Sequence, residues 1–461
     1  GRNLHRAAEE LTPAEIYSNL ISSNNSATIK KWSDIFYKLA DPACFDWKMD
    51  VEDDVAIRLL TYKIACEKFS DSLAEHEDIR KAELSHRYFK ALKLAGAYAF
   101  IDGSTEIEMD HLMSAILLVE DSGKAFQQIL NREKSYVKLA KYIAEVRTEV
   151  THADLLEALP FYKAGNAARN EMMTLATAWG YKKHIIIKKN FIDNIEFFKG
   201  ETLEETTLDE MFISYSDHWA YNYNPERVPF DQLHLLTQEG DMHWANHHFR
   251  NEHRSEENVI PKFNMIVIDV DGGVTLPFVH EVLKDYKFMT YTTKRHDPDG
   301  DHRFRLIIPI NYTLELDSEE YKEFVNSFMQ WLPFKADEAS NQRSKKWMSC
   351  DKGTYHYNLD GALIDALPFI PKTSRNEQYI ESTKQLESLD NLERWFAQRM
   401  SSGNRNNNMI KFALALVDSG MDLVSVSKQV HDFNKKLSEP LDESEIDSTV
   451  MVSVGKRYEK M

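Results

Sequence analysis

Asp269 and Asp271 close an apolar stretch that begins at Met265, and Gly272 and Gly273 follow at once. Alternate side chains of an extended chain share a face, so both carboxylates point the same way. Held that close they repel unless a cation sits between them. An all-oxygen donor set suits Mg2+ or Mn2+. Asp337, in a turn after a helical stretch over 319–332, is the third carboxylate. Three acidic groups can hold two ions, and two ions suit in-line attack on a phosphate. Arg303 and Arg305 open a later apolar strand with Phe304 between them, so alternation aims both guanidinium groups to one face. Arginine forks bind phosphate oxygens in pairs, and Arg343, Lys345 and Lys346 add positive charge after Asp337. These residues suit the metal-assisted handling of a nucleoside triphosphate. A strand-end turn with glycines for flexibility is the alternative for the acidic pair alone.

The elements that must position these groups lie in residues 262–372, where apolar runs predict β-α-β-β-α order, as in a small ferredoxin-like or RNA-recognition-like sheet. Around it the chain reads as an α+β multidomain protein. Residues 1–148 show three- and four-residue apolar spacing and form a helical domain; 149–205 read as a winged helix; 206–372 hold the candidate catalytic domain. A polar linker spans 373–388, and a helical domain spans 389–461. In the winged-helix region Thr151 and Asp154 make a capping box, and Arg169, Lys182, Lys183, Lys188 and Lys189 are candidates for DNA contact. The winged helix as a protein-docking module stays open beside that. Residues 201–260 look irregular and rich in aromatics and histidine.

The chain has 461 residues and a net charge of −18, with the acidity mainly in the first half. That balance argues against a protein that coats nucleic acid. Cys44, Cys66 and Cys350 are too widely spaced for a disulfide framework or a cysteine zinc site. No apolar run reaches the roughly 18 residues of a membrane span, so no membrane partner is expected, and the cytoplasm of a bacterial host cell is the expected compartment. Ser122, Gly123 and Lys124 lack the first glycine of a phosphate-binding loop, so no motor motif is visible. His234, His243, His247, His248 and His253 leave a zinc site open. Trp219, Tyr221, Tyr223 and Trp244 are candidates for stacking on the bases of a single strand.

With these residues in place, the region 250–370 resembles the primase-polymerase domain of phage and plasmid replication proteins, within the archaeo-eukaryotic primase superfamily. Residues 268–271, with Asp269 and Asp271, look like its first motif, residues 290–310 are similar to the segment before and through its second, and Asp337 with 342–350 looks like its third. The second motif often carries Ser-x-His; Arg303 and Arg305 stand there instead, with His296 and His302 as candidate phosphate contacts. Residues 251–258, with Arg254, resemble a basic approach segment. Residues 401–456 are similar to a primase C-terminal helical domain, opened by Gly403, Asn404, Arg405, Asn406 and Asn407, with Arg405 and Asn406 as candidate DNA contacts. Residues 92–129 resemble the helical segment after the motor of phage and plasmid helicases. The resemblance implies primer synthesis on a single-stranded DNA template from NTP or dNTP with two Mg2+ or Mn2+ ions, and a replicative helicase in cis or in trans. Two alternatives remain. One is a non-catalytic DNA-binding or helicase-loading module. The other is a haloacid-dehalogenase-like phosphatase, with Asp269 as nucleophile, Asp271 as acid/base and Thr292 or Thr293 as the second hydroxyl.

Overall fold

A computed structural model describes residues 12–21, 25–163, 165–401 and 403–459. The chain divides into two compact units, Gly1–Lys134 and Ser135–Met461. In the first, the helices Asp53–Asp71, Arg87–Asp102 and Met109–Leu130 close around Val55, Leu59, Ala95, Ala99, Leu112 and Ala115. Ala91, Ala95 and Ala99 recur every fourth residue and are fully buried, so a small-residue stripe lets the helices approach closely.

The second unit begins with Ser135–Val146, and this moves the first boundary from 148 to 134. Leu139, Ala140 and Ile143 of that helix share a core with Val150, Leu155, Met173, Ala176, Ile187 and Phe198. Gly200 explains how closely the helix sits: a Cβ there would meet the backbone of Ile143 and Ala144 at 2.6 Å. The helices Ser135–Val146, His152–Ala158 and Asn166–Tyr181 thus pack on a three-stranded sheet ordered Val150–Thr151, Ile195–Thr202, Ile185–Ile192. Thr151 and Asp154 form the expected capping box. The hairpin turns through Asp193 and Asn194, both at positive φ.

The central five-stranded sheet runs β1 (Lys262–Asp271), β3 (Arg303–Glu315), β2 (Phe288–Thr292) and β4 (Tyr355–Asn358) in that order, with the short strand Glu204–Glu205 pairing Tyr312 and Thr313 of β3, and it is antiparallel throughout. Helices α1 (Leu276–Val282) and α2 (Ser318–Trp331) cover one face, where Ile266, Ile268, Val270, Phe304, Leu306 and Ile308 meet Phe278, Val279, Tyr321, Phe324 and Phe328. The other face presents Met265, Val267, Met289, Tyr291 and Ile307 to Met211, Ile213, Phe230, Trp244 and Trp347. Those partners stand on or beside a second antiparallel sheet of Trp347–Met348, His243–Ala245, Met211–Ser216 and Asn224–Val228. Much of the stretch expected to be irregular is therefore a second layer. With both faces covered, β1 and β3 can carry near-continuous apolar runs.

Residues 373–388 also differ from expectation. Thr373 caps a helix, Ser374–Lys384, with Asn376 and Thr383 buried, so this stretch packs and does not merely link. The helices Asn391–Ala397, Arg405–Asp418, Leu423–Lys436 and Met451–Tyr458 complete the chain. Their Phe396, Met409, Phe412, Val426, Phe433 and Val454 belong to the same continuous core as α1 and α2.

His247 is fully buried between the rings of Phe263 and Tyr321, and neither ring nitrogen has a hydrogen-bond partner among the described residues. Burial, reinforced by the charges of Arg343 and His248, pushes its pKa down to about 3. The unfolded imidazole titrates near 6.5, so between those values the unfolded chain binds the extra proton and acid favours unfolding. Replacing His247 with Phe should shrink the stability lost between about pH 7 and about pH 5 by roughly 2 kcal/mol. Urea titrations of the full chain at both pH values check this; an unchanged loss would contradict it.

Candidate metal centre and nucleotide site

The register of β1 against β3 builds the site. Asp269 stands opposite Arg305, and Asp271 opposite Arg303. All four continue the row of Met265, Val267 and Ile307; Trp347 and Met348 of the second layer still reach Arg305, whereas Asp271 is exposed. β1 is an edge strand, so the backbone groups of Asp269 need partners. Residues 337–341 supply them: the Asp337 N–H donates to the Asp269 carbonyl at 3.0 Å, and the Asp269 N–H donates to Ser340 Oγ at 3.1 Å. Asp337 in turn caps the 3-10 turn Glu338–Asn341, accepting from the Ala339 N–H at 3.0 Å. A turn stitched onto the strand edge thus places the third carboxylate. Oxygens of Asp269, Asp271 and Asp337 all lie within 4.8 Å of one another, the one such metal-ligating group among the described residues.

Each carboxylate has a basic neighbour. Arg305 Nε is 3.5 Å from Asp269, Arg303 Nη1 is 3.5 Å from Asp271, and Lys345 Nζ is 3.0 Å from Asp337. Arg305 lies half-buried against the rings of Tyr291 and Trp347 and donates from Nη1 to Tyr291 Oη at 3.0 Å and to the Met348 carbonyl at 2.5 Å. Both of these bonds come from Nη1, while Nε faces Asp269 at 3.5 Å without a hydrogen bond, so the pair is held by charge and by the two rings. Arg303 is more exposed and more loosely held. Burial pushes Asp269 above the usual carboxylate range, with Asp271 and Asp337 adding to the rise against Arg305 and Lys345. Burial alone would raise Asp337 as well, but the Ala339 N–H and Lys345 bring it below.

The strand leaves the site through Gly272 and Gly273, both at positive φ, and a Cβ on Gly272 would crowd Asp301. A cleft of about 790 Å³ opens there, lined by Gly272, Thr275, His302, Lys335, Asn391 and Arg394 among others. His302 Nδ1 accepts from the Leu276 N–H and His296 Nδ1 from the Arg303 N–H, both at 3.2 Å. In its neutral form each ring therefore carries its proton on Nε2. Their rings meet edge to face at 5.1 Å.

Other candidates lie elsewhere. Arg343 is held by Glu256 at 2.8 Å and by the Leu316 carbonyl at 3.0 Å, and Arg254 by the Ser344 carbonyl at 2.7 Å; both brace the segment that carries Lys345. Lys188 is buried between Glu201 and Glu320 at 3.1 Å each, and Lys189 pairs with Glu196, so neither offers a free charge. Arg169 donates to Asn166, while Lys182 and Lys183 are exposed. Arg405 binds Glu439 and Asn406 binds Glu445, tying C-terminal helices together. The histidines gather no ligand set among the described residues: His243 and His248 contact the carbonyls of Asp217 and Glu226, and His234 stacks on Tyr355. Ser340, Tyr291 and Trp347 were missed in the sequence. No short-range pattern marks them, because the strand pairing that brings them in is non-local.

Residues 393–460 match the family model described as Primase C terminal 1 (PriCT-1). No curated protein matches the chain, and no solved structure matches it. The match supports a primase-associated replication protein, with DNA and the replication machinery as the class of partner. Among the described residues no helix is long and apolar enough to cross a membrane.

Arg305→Met should leave the half-buried Asp269 carboxylate without its cross-strand partner. Stability should fall by about 3 kcal/mol, and the pH at which Mn2+ binds should move up, because the carboxyl must lose its proton to act as a ligand. Thermal unfolding and Mn2+ titration by electron paramagnetic resonance over a pH series check both. An unshifted pH profile would contradict the pairing.

Proposed function

We propose that this chain is a DNA-dependent primase-polymerase: a nucleotidyltransferase that makes primers on single-stranded DNA from NTP or dNTP in phage or plasmid replication. The observation that carries it is the convergence of Asp269 and Asp271 at the end of β1 with Asp337 in the 3-10 turn at its edge, with Arg303 beside them, followed in the chain by a primase C-terminal match. The β-α-β-β-α order fits a ferredoxin-like or RNA-recognition-like core, although β4 joins the free edge of β2 and leaves β1 as an edge.

The donor chemistry fits divalent cations. Three carboxylates converge, burial and mutual repulsion raise Asp269, and all donors are oxygens. Asp269, Asp271 and Asp337 would hold two Mg2+ or Mn2+ ions. When bound, such ions make a 3′-hydroxyl easier to deprotonate and neutralise charge on the phosphates. The chain's own groups do the rest. Arg305, locked under Tyr291 and Trp347, keeps Asp269 in place. Arg303, loosely held by Asp271, turns to a triphosphate oxygen. The Nε2–H groups of His302 and His296 are donors for the same phosphates. The cleft beyond Gly273 receives the nucleoside. In the reaction the 3′-oxygen forms a bond to the α-phosphorus, the bond to pyrophosphate breaks, and the hydroxyl proton passes to solvent.

The winged-helix-like region, with Lys182 and Lys183 exposed, and the C-terminal helices are DNA-side or helicase-side elements on this reading, the helicase acting in cis or in trans. The antiparallel sheet and an Asp337 set in a 3-10 turn argue against the phosphatase alternative.

Joint replacement of Asp269 and Asp271 by Ala should lower primer synthesis by about 10³-fold or more, the loss of several kcal/mol of charge stabilisation. DNA binding should persist. The assay supplies single-stranded DNA, Mg2+ or Mn2+, and ribo- or deoxyribonucleotides separately. Synthesis that survives the double substitution would overturn the proposal, and DNA binding by a wild-type chain that makes no product would favour a non-catalytic module.

A further inference from the structure

Tyr223 and Trp244 are fully buried, whereas Trp219 and Tyr221 are 67% and 76% exposed. The loop that carries them is not loose. The Trp219 N–H donates to Asp217 Oδ1 at 3.0 Å, and the Ala220 N–H donates to the Asp217 carbonyl at 3.0 Å. Ala220 takes a positive φ and packs against a small core of Tyr223, Ala245, Phe249 and Val259. The Tyr223 N–H donates to the Glu252 carbonyl, and Asn222 bridges to His253. A loop pinned at both ends and in its middle therefore turns two large aromatic side chains outward. Holding that much apolar surface in water is unfavourable unless something covers it.

The loop also lies on a short path to the carboxylates. The Asp217 carbonyl contacts His243 Nδ1 at 3.1 Å. His243 pairs in register with Met348, whose carbonyl accepts from Arg305, the partner of Asp269. Basic side chains stand at the same end of the central sheet. Lys294 and Arg295 follow the end of β2, and Lys346 and Lys352 flank the turn whose Thr354 bonds Thr292. Arg295, Lys346 and Lys352 are exposed and make no ion pair among the described residues.

We propose that Trp219 and Tyr221 form a stacking platform for unpaired bases of a single-stranded DNA template beside the candidate centre. Every base presents a π-face, so such a platform tolerates any sequence, and the basic rim supplies phosphate contacts that weaken with salt. The direction of this inference rests on the nucleotidyl-transfer reading, but the contact is tested by binding alone.

The test measures fluorescence anisotropy of a short labelled single-stranded oligodeoxynucleotide with the full chain, without nucleotide or divalent cation. Trp219→Ala with Tyr221→Ala should weaken binding by about 30-fold, the loss of one to two stacked bases. Trp219→Phe with Tyr221→Phe should keep most of the affinity. Mn2+ binding should match wild type in both variants. Competition by RNA of the same sequence would support a stacking contact without sugar discrimination. Unchanged affinity in the double alanine variant, with an unchanged circular dichroism spectrum, would overturn the platform and point to a protein as the loop's partner. Equal losses for duplex and single strand would overturn it too, because stacking needs unpaired bases. Failure of the wild-type chain to make primers would count against nucleotidyl transfer only.

Discussion

Two carboxylates two residues apart on a largely buried strand must have counter-charge within reach, and the antiparallel register of β1 and β3 provides it. Asp269 faces Arg305 and Asp271 faces Arg303. Cross-strand neighbours are the unit of sheet stabilisation, and opposite charges there are favourable where like charges would not be. Much of the surrounding architecture serves this pairing. The second layer brings Trp347 and Met348 onto Arg305, Tyr291 closes the other side, and residues 337–341 occupy the free edge of β1. The inner pair is the less exposed, and the outer pair, Asp271 with Arg303, stands more in solvent.

The C-terminal helices share this framework. Trp395 packs against Trp331 at the end of α2, with ring centroids 4.4 Å apart, and Arg399 lies 3.4 Å from the centre of the Trp395 ring. Arg399 also donates to Tyr286, just before β2. The segment that matches a primase C-terminal family therefore shares one apolar core with the helices that back the candidate centre. The stretch before it, Ser374–Lys384, packs through the aromatic contact of Tyr379 with Phe369.

The strands at 265–271 and 303–310 were legible as short apolar runs, and the geometry of an extended chain then decides which side chains share a face. The helices around them were legible from three- and four-residue apolar spacing. What escaped depended on partners distant in sequence. Residues 201–260 supply three strands of a second sheet, three to six residues long and carrying Trp, His and Asn, too short for a period to show. Ser135–Val146 belongs to the second unit because Gly200 admits it, and nothing near residue 135 encodes that contact. Basic residues misled most: Lys188, Arg254 and Arg343 look available in the sequence but are spent on Glu201, Glu320, Ser344 and Glu256.

The most direct measurement is anomalous scattering from crystals of the chain grown with Mn2+ and a non-hydrolysable nucleoside triphosphate. Two manganese peaks roughly 3.5–4 Å apart, bridged by Asp269, Asp271 and Asp337 and touching the triphosphate, are predicted. No peak at the trio, or nucleotide bound away from it, would contradict a two-ion nucleotidyl-transfer centre.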